Sequence, residues 1–419
     1  MPDLLKRALS RPFLWWALAA VWLVRDVYGN LLAPDRPDAR ALLAAGSAWL
    51  HDPAAIYAGA AHALAETGFV PVFGFIKPPA AAMLAAPFVL LPPSWQAPVW
   101  TTSDALAAVI ALLLIQRYIA RGPLETAVFW AVALYSPPLY AEVDAGQVGG
   151  WLLLFACAGL VAFRTRPALS GVLVAAAASL KLYPALMVIG ARRNLRPFLL
   201  GALVAGVVIT VVACIPMGFA GAWNYVTAVL IPSLRAPNSD CAQTSVSTLW
   251  GRSVGGQLYP IVNPSGAIDM IQSPLHLTAA ASILTVITLI AVIVGAVVAA
   301  RASGWNPGYG MALGLALGGI IPGEMNPYQY LPLLPLVLMV LVITIRNRRW
   351  WYVVAIAAGL LAWWRQPCYL PFPNLWTIGA LILFTTCVVA ARQFRTEPLS
   401  ASPPPVAPAP ATTPSSRNR

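Results

Sequence analysis

Long runs of apolar residues, broken by short basic pairs and proline-bearing turns, dominate the chain, and their lengths predict helices rather than strands. Runs near 12–33, 97–118, 124–140, 147–163, 196–216, 277–300, 308–322, 328–345, 350–364 and 374–391 approach the roughly 20 residues an apolar helix needs to cross a bilayer. Two further apolar stretches do not fit as full spans. Residues 169–191 are interrupted by Lys181-Leu-Tyr-Pro184 and carry basic residues on both flanks. They predict two half-helices that enter and leave from the cytoplasmic side, a backbone tolerated at membrane depth where protein or a water-filled cavity satisfies it. Residues 78–93, bounded by Pro78-Pro79 and Pro92-Pro93, predict a short helix dipping into the membrane from the outer side. The fold class is therefore all-α, a polytopic transmembrane bundle of about ten crossings with re-entrant and juxtamembrane helices.

Composition supports a bilayer as the solvent. Only 10% of the residues are charged and 59% are hydrophobic, with a mean hydropathy of +0.74, whereas a soluble domain carries about 25% charged residues. The net charge of +12 does not indicate nucleic acid, because a nucleic-acid binder gathers its basic residues on one exposed face. Here they sit in short groups between apolar runs: Arg117 and Arg121, Arg164 and Arg166, Arg192, Arg193 and Arg196, Arg301, then Arg346, Arg348 and Arg349, then Arg392 and Arg395. That is the distribution of cytoplasmic loops. It puts both termini inside, with the first span entering behind Lys6, Arg7 and Arg11 and too long to be a cleaved signal. The outer loops are then about 34–96, 217–276 and 323–330. Residues 1–396 form one membrane domain, and the Pro-, Ala- and Ser-rich tail 397–419 is expected to be a disordered cytoplasmic extension. The five cysteines have no CxxC spacing, so no metal site or disulfide framework follows. Cys241 and Cys368 are the two that fall in outer loops.

Charges outside the cytoplasmic loops gather on the opposite face. Asp38, soon after the first span, reads either as the N-cap of the Ala- and Leu-rich helix that follows or as a general base for an acceptor hydroxyl. Arg40 beside it is a candidate substrate contact. Lys77, ahead of Pro78-Pro79, reads as a cation for a lipid-linked phosphate or as a side chain snorkelling to water. The turn Tyr135–Gln147 carries Glu142, Asp144 and Gln147 at helix ends, where charge suggests function or simple hydration. Lys181 interrupts an apolar run before helix-breaking Pro184, so its ammonium needs either backbone carbonyls or a phosphate. Arg235, Asp240 and Arg252 lie in a polar, Gly-rich loop suited to a sugar, or merely wetted. Glu324, Asn326, Tyr328, Gln329 and Tyr330 form a polar turn suited to a hydroxyl-rich acceptor. Arg25 and Asp26 in the first helix read as structural, and Asp104, just inside the second crossing, has no assigned role.

Several of these features recur together. Asp38 is followed by Ala44-Ala-Gly46, Leu50-His-Asp-Pro53 and Ile56-Tyr57; Pro78-Pro79 enters a helix that ends Leu-Pro; Gly146-Gln147 opens a helix; and Ala-Ala-Ser-Leu leads into Lys181-Leu-Tyr-Pro184. In order and spacing this resembles, over roughly residues 30–200, the GT-C membrane glycosyltransferases. It resembles in particular the glycosyltransferase family 87 group of actinobacteria, with its polyprenol-phosphate-mannose-dependent α-mannosyltransferases and a branching arabinofuranosyltransferase. Ala39 and Lys77 depart from the pattern, standing where relatives tend to carry an aromatic residue and a tyrosine. The resemblance implies a GT-C fold and an inverting transfer from a polyprenyl-phosphate sugar to a glycolipid or lipoglycan acceptor at the outer face of the plasma membrane. Mannose is the first sugar implied, and arabinofuranose from decaprenyl-phosphate arabinose the alternative. Asp38 would be the base, and Lys77, with Lys181 or Arg252, would hold the phosphate. A monophosphate held by basic side chains requires no metal, and no cofactor or nucleic-acid partner is implied. High Ala, Arg and Pro with little Lys fits a high-GC genome.

Two other classes compete. A transporter or lipid flippase tends to show internal repeats, and the two halves show no convincing similarity. A ligase or polymerase with a lipid-diphosphate donor predicts more cations in one outer loop than Arg235 and Arg252.

Overall fold

The computed structural model describes residues 10–32, 36–67, 75–233, 246–255, 258–262, 268–272, 275–321, 327–363 and 375–395. Many of its helices open on a proline, whose missing N–H is no loss in a first turn and whose fixed φ suits a helix. The chain begins with α1 (Pro12–Leu32), α2 (Pro37–His51) and α3 (Ala58–Thr67). Next come α4 (Pro79–Val89), α5 (Pro93–Ile119), α6 (Pro123–Tyr135), α7 (Pro137–Ala145), α8 (Gly149–Ala162) and α9 (Pro167–Leu180). A 3₁₀ segment, Tyr183–Asn194, leads into α10 (Leu195–Cys214); α11 (Gly218–Asn224) then runs through a π-helical turn, Tyr225–Leu230, into α12 (Ile231–Ser233). After α13 (Val246–Ser253), β1 (Leu258–Val262) and β2 (Ile268–Gln272) form an antiparallel hairpin. The chain continues with α14 (Thr278–Ala302), α15 (Pro307–Gly318), a 3₁₀ turn at Pro327–Leu333, α16 (Leu334–Arg346), α17 (Trp350–Ala362) and α18 (Leu375–Ala390).

Among the described residues five segments are long and apolar enough to cross a membrane: Pro93–Ile119, Tyr183–Cys214, Thr278–Ala302, Tyr328–Arg346 and Leu375–Phe394, joined by six shorter apolar helices. The outer faces of α10 and α14 expose Val204, Val207, Val208 and Val211, and Ile283, Val286, Ile287 and Ile290. Apolar surface of this extent is not left facing water. The molecule is a helical membrane protein, as the hydropathy pattern implies, with the hairpin as an addition that pattern did not contain.

Element boundaries differ where proline intervenes. The apolar run 124–140 is not one helix: α6 stops at Tyr135, and Pro137 opens the separate α7. A residue before proline is pushed out of the α region, and Ser136 lies at φ −51°, ψ 107°. The run 328–345 begins as a 3₁₀ turn before α16. The stretch 169–191 is broken where the sequence places the break, with α9 ending at Leu180 and Lys181 extended at φ −150°, ψ 135°.

The centre of the bundle is α15 and α16, in which Gly308–Gly318 and Leu334–Ile345 are buried throughout. The 3₁₀ segment lies along a glycine row on α15. A methyl group on Gly314 would overlap the Leu186 carbonyl, and one on Gly318 the side chain of Tyr183. Small residues four apart permit such close backbone approach. The starts of α9 and α10 meet through a second pair, Gly171 against Phe198 and Gly201 against Ala168. The chain thus leaves this contact along α9, bends at Lys181 and returns along the 3₁₀ segment.

One ion pair ties α5, α6 and α16. Arg346 donates from Nε to Glu125 Oε1 (3.0 Å), and from Nη2 to Glu125 Oε2 (2.8 Å) and the Ile119 carbonyl (2.6 Å). The two side chains are only 16% and 13% exposed, so removing either strands the other. Arg346→Ala should lower stability by about 2–3 kcal/mol, less than for a fully buried pair, in denaturant unfolding of the detergent-solubilised protein. Arg346→Lys, which keeps the charge but not the fork, should fall between.

Candidate active site

The link between α7 and α8 organises the polar centre. Gly146 ends α7 in the left-handed region (φ 68°, ψ 41°), which glycine enters without steric cost. A side chain there would also strike Ala39 on α2. The Gly146 carbonyl accepts a hydrogen bond from the buried Trp100 indole of α5 (2.9 Å). Three helices therefore converge on one glycine. Immediately beyond, α8 opens with Gly149-Gly150, and each glycine makes room for a carboxylate. The Glu142 carboxylate lies where a Gly149 methyl would be, and the backbone and carboxyl carbon of Asp104 crowd Gly150. Glu142 Oε1 accepts from the Gly149 amide, and Asp104 Oδ1 accepts from the Trp151 amide at 3.2 Å. A helix N-terminus presents free N–H groups and positive potential to such acceptors. Asp104, Glu142 and Gln147 are 0%, 1% and 1% exposed, and the remaining oxygens Oδ2, Oε2 and Oε1 have no hydrogen-bond partner among the described residues.

Two lysines face this pair. Two of the chain's three lysines stand here. Lys77 precedes Pro78-Pro79, and its carbonyl accepts from the Tyr57 hydroxyl at 2.8 Å, so the backbone is held on both sides. Burial lowers its pKa from the ordinary 10.5; Lys181 pushes the same way, while Asp38 and Glu142 pull it back up. Glu142 is raised by burial and brought back down chiefly by Lys181 and the Gly149 amide. Lys181 lies within electrostatic reach of both carboxylates, and its ammonium sits 5.3 Å from the Tyr328 ring centroid, within cation–π range. Neither ammonium forms an ion pair or side-chain hydrogen bond with a described residue.

Asp38, Lys77, Glu142, Lys181 and Tyr328, expected separately from the sequence, therefore come together, with Gln147 in the turn beside them. The alternative of Asp38 as N-cap is not realised. Arg36 occupies the cap position, Pro37 the first turn, and no side-chain cap bond forms. Arg40 and Asp144 do not join the group. Each is two residues from a member of it on a helix, hence on another face. Arg40 lines a different cavity with Ser47, Ser94 and Gln96, and Asp144 interacts with Arg36. Glu324, Asn326, Arg235, Asp240, Cys241, Cys368 and the tail 397–419 lie outside the described residues, as do the side chains of Asp26 and Arg252. Arg25 is structural as expected, donating to the Leu134 carbonyl at 3.2 Å. Sequence reasoning left out Asp104 and Tyr183, the latter also within electrostatic reach of Glu142. A lone carboxylate within an apolar helix was the available signal for Asp104; a tyrosine beside a helix break offered none.

An apolar cavity of about 580 Å³ is walled by residues next to the lysines in sequence, not by the lysines themselves. Pro78 and Pro79, directly after Lys77, and Ser179 and Leu182, flanking Lys181, form part of its wall, which continues along α10 to Cys214 and to Tyr225.

A helical bundle with a buried cluster of carboxylates and lysines and a separate apolar cavity defines a membrane protein with a polar centre inside its apolar core. The chain matches glycosyltransferase family 87 over residues 75–321, more than half of its 419 residues, and it belongs to that family. It is accordingly a transferase, and the transporter and flippase reading falls away. The matched range contains Lys77, Asp104, Glu142, Gln147 and Lys181; Asp38 and Tyr328 lie outside it. No curated protein matches the chain.

The two glycines of α8 should respond differently to a methyl group. Gly150→Ala meets backbone, which cannot yield, and should destabilise by about 1–3 kcal/mol, although glycine to alanine in a helix ordinarily stabilises. Gly149→Ala meets only the end of Glu142, which must give up its bond to the Gly149 amide but leaves the backbone in place, and should cost about 1 kcal/mol, less than Gly150→Ala. Equal losses would contradict this packing.

Proposed function

We propose that the protein is an inverting glycosyltransferase. It transfers a sugar, mannose first, from a polyprenyl-phosphate donor to a lipid-linked glycan acceptor at the outer face of the plasma membrane, for envelope glycolipid or lipoglycan synthesis. The observation that carries this reading is a pair of lysines, without ion-pair partners among the described residues, adjacent in sequence to the wall of an apolar cavity; a cation and an apolar hollow match the two halves of a polyprenyl phosphate's chemistry. The basic loops support a reading of ten crossings with both termini cytoplasmic, in which Asp38 and Lys77 belong to the outer side.

In the reaction Asp38 takes the proton of the acceptor hydroxyl, whose oxygen attacks the anomeric carbon from the face opposite the phosphate. The carbon–oxygen bond to the phosphate breaks, and the polyprenyl phosphate leaves with the electron pair. Lys77 and Lys181 stabilise the developing phosphate charge. Glu142, Gln147 and Tyr328 contact the sugar. Asp38 is half-buried in the first turn of α2 and within electrostatic reach of Lys77 and Glu142, which supports its role as base.

Membranes given radiolabelled polyprenyl-phosphate mannose or arabinose test this. Asp38→Asn should reduce transfer by at least ~10²-fold; undiminished transfer would remove Asp38 as the base. The depressed Lys77 has a pH signature as well. Its ammonium is lost at a lower pH than an ordinary lysine's, so transfer should fall as pH rises through that value. Lys77→Arg, charged throughout, should move this alkaline limb to higher pH, and an unmoved limb would assign it to another group.

A further inference from the structure

We propose that Asp104 and Glu142 together form a fixed pair of acceptors for two neighbouring hydroxyl groups of the glycosyl unit being transferred. Asp104 is then a specificity-determining residue. The proposal rests on the donor reading above and assigns a task to the one buried carboxylate that reading leaves unused.

The geometry is that of a half-satisfied pair. Each carboxylate commits one oxygen to the first turn of α8, Glu142 Oε1 to the Gly149 amide and Asp104 Oδ1 to the Trp151 amide. Each keeps its second oxygen buried and unpartnered among the described residues, and the Gln147 side-chain oxygen in the same turn is also unpartnered. The first turn of α8 offers several N–H groups, and each carboxylate serves one of them with a single oxygen, so the second oxygen of each exceeds what the helix needs. A buried acceptor left unmade is costly, yet three remain unpartnered among the described residues, two of them on carboxylates within electrostatic reach of Lys181. Sugar hydroxyls are donors of the right kind, and a carboxylate acceptor makes the stronger class of hydrogen bond. Because each carboxylate is anchored through its other oxygen and seated over a glycine, the two acceptors are held before the sugar arrives. A site built to bond a hydroxyl discriminates strongly against an analogue that lacks it.

The test uses the full-length protein in membranes with an accepted polyprenyl-phosphate hexose and its series of single-deoxy analogues. Wild type should lose roughly 10- to 100-fold in kcat/KM on one deoxy donor or on two adjacent ones, and little on the rest. Asp104→Asn should lose a similar factor on the parent donor yet show almost no further loss on the matching deoxy donor, the non-additivity of a direct contact. Glu142→Gln should do the same at the neighbouring position. Wild type indifferent to every deoxy position overturns the proposal without any variant having to fold. So does Asp104→Asn losing the same factor on every donor, as a structural residue would. If wild type transfers from no polyprenyl-phosphate sugar, the donor reading itself fails and the hydroxyl pair falls with it, a result distinct from transfer without discrimination.

Discussion

Ionised groups inside an apolar bundle must have their compensation built in, because no water is at hand to supply it. In this protein that requirement is met at one place, the first turn of α8. Its amides hold Glu142 and Asp104, two carboxylates from different helices, and two glycines leave the volume these side chains occupy. Lys181 acts on both carboxylates and Lys77 on Glu142 at a distance, with no ion pair formed among the described residues. The charges therefore stabilise one another while their hydrogen-bonding capacity stays open. A bundle arranged for stability alone would have paired them directly or replaced them with apolar side chains of similar volume.

The rest of the fold serves to hold these four side chains still. Lys181 stands where α9 gives way to the 3₁₀ segment, and that bend is anchored by two glycine seams, one against α15 and one between α9 and α10. Lys77 is fixed by the prolines that open α4 and by the Tyr57 hydroxyl. Glu142 owes its place to the Ser136-Pro137 break that makes α7 a helix of its own, and to Gly146, where Trp100 and Ala39 bring α5 and α2 into contact. The apolar cavity follows from the same bend, since α9 and α10 share its wall. Family 87 membership accounts for a transferase.

What the chain states locally was legible. Apolar runs of bilayer length, prolines at helix starts and the Lys181 interruption all act through contacts within a few residues, so one sequence carries the whole argument for them. The polar outliers were legible one at a time for the same reason: an ionised side chain in an apolar setting is expensive wherever it folds. Their assembly was not. Lys77 and Glu142 are far apart in sequence, and nothing in either segment specifies that the other will be its neighbour. The hydropathy pattern also merged α6 and α7 into one span, because hydropathy averages over residues while Ser136-Pro137 acts on a single backbone torsion.

Asp38 and Asp104 show the two sides of this division. The sequence by itself determined a membrane bundle, a break at Lys181 and a short roster of charges that water does not explain, since transfer from water to an apolar medium is a property of each residue. Only the tertiary structure decided that Asp38 is no helix cap, that Arg40 and Asp144 turn to other faces, and that Asp104 stands beside Glu142. Those outcomes depend on which backbone can approach which, and glycines on separate helices settle that through contacts a linear pattern does not contain.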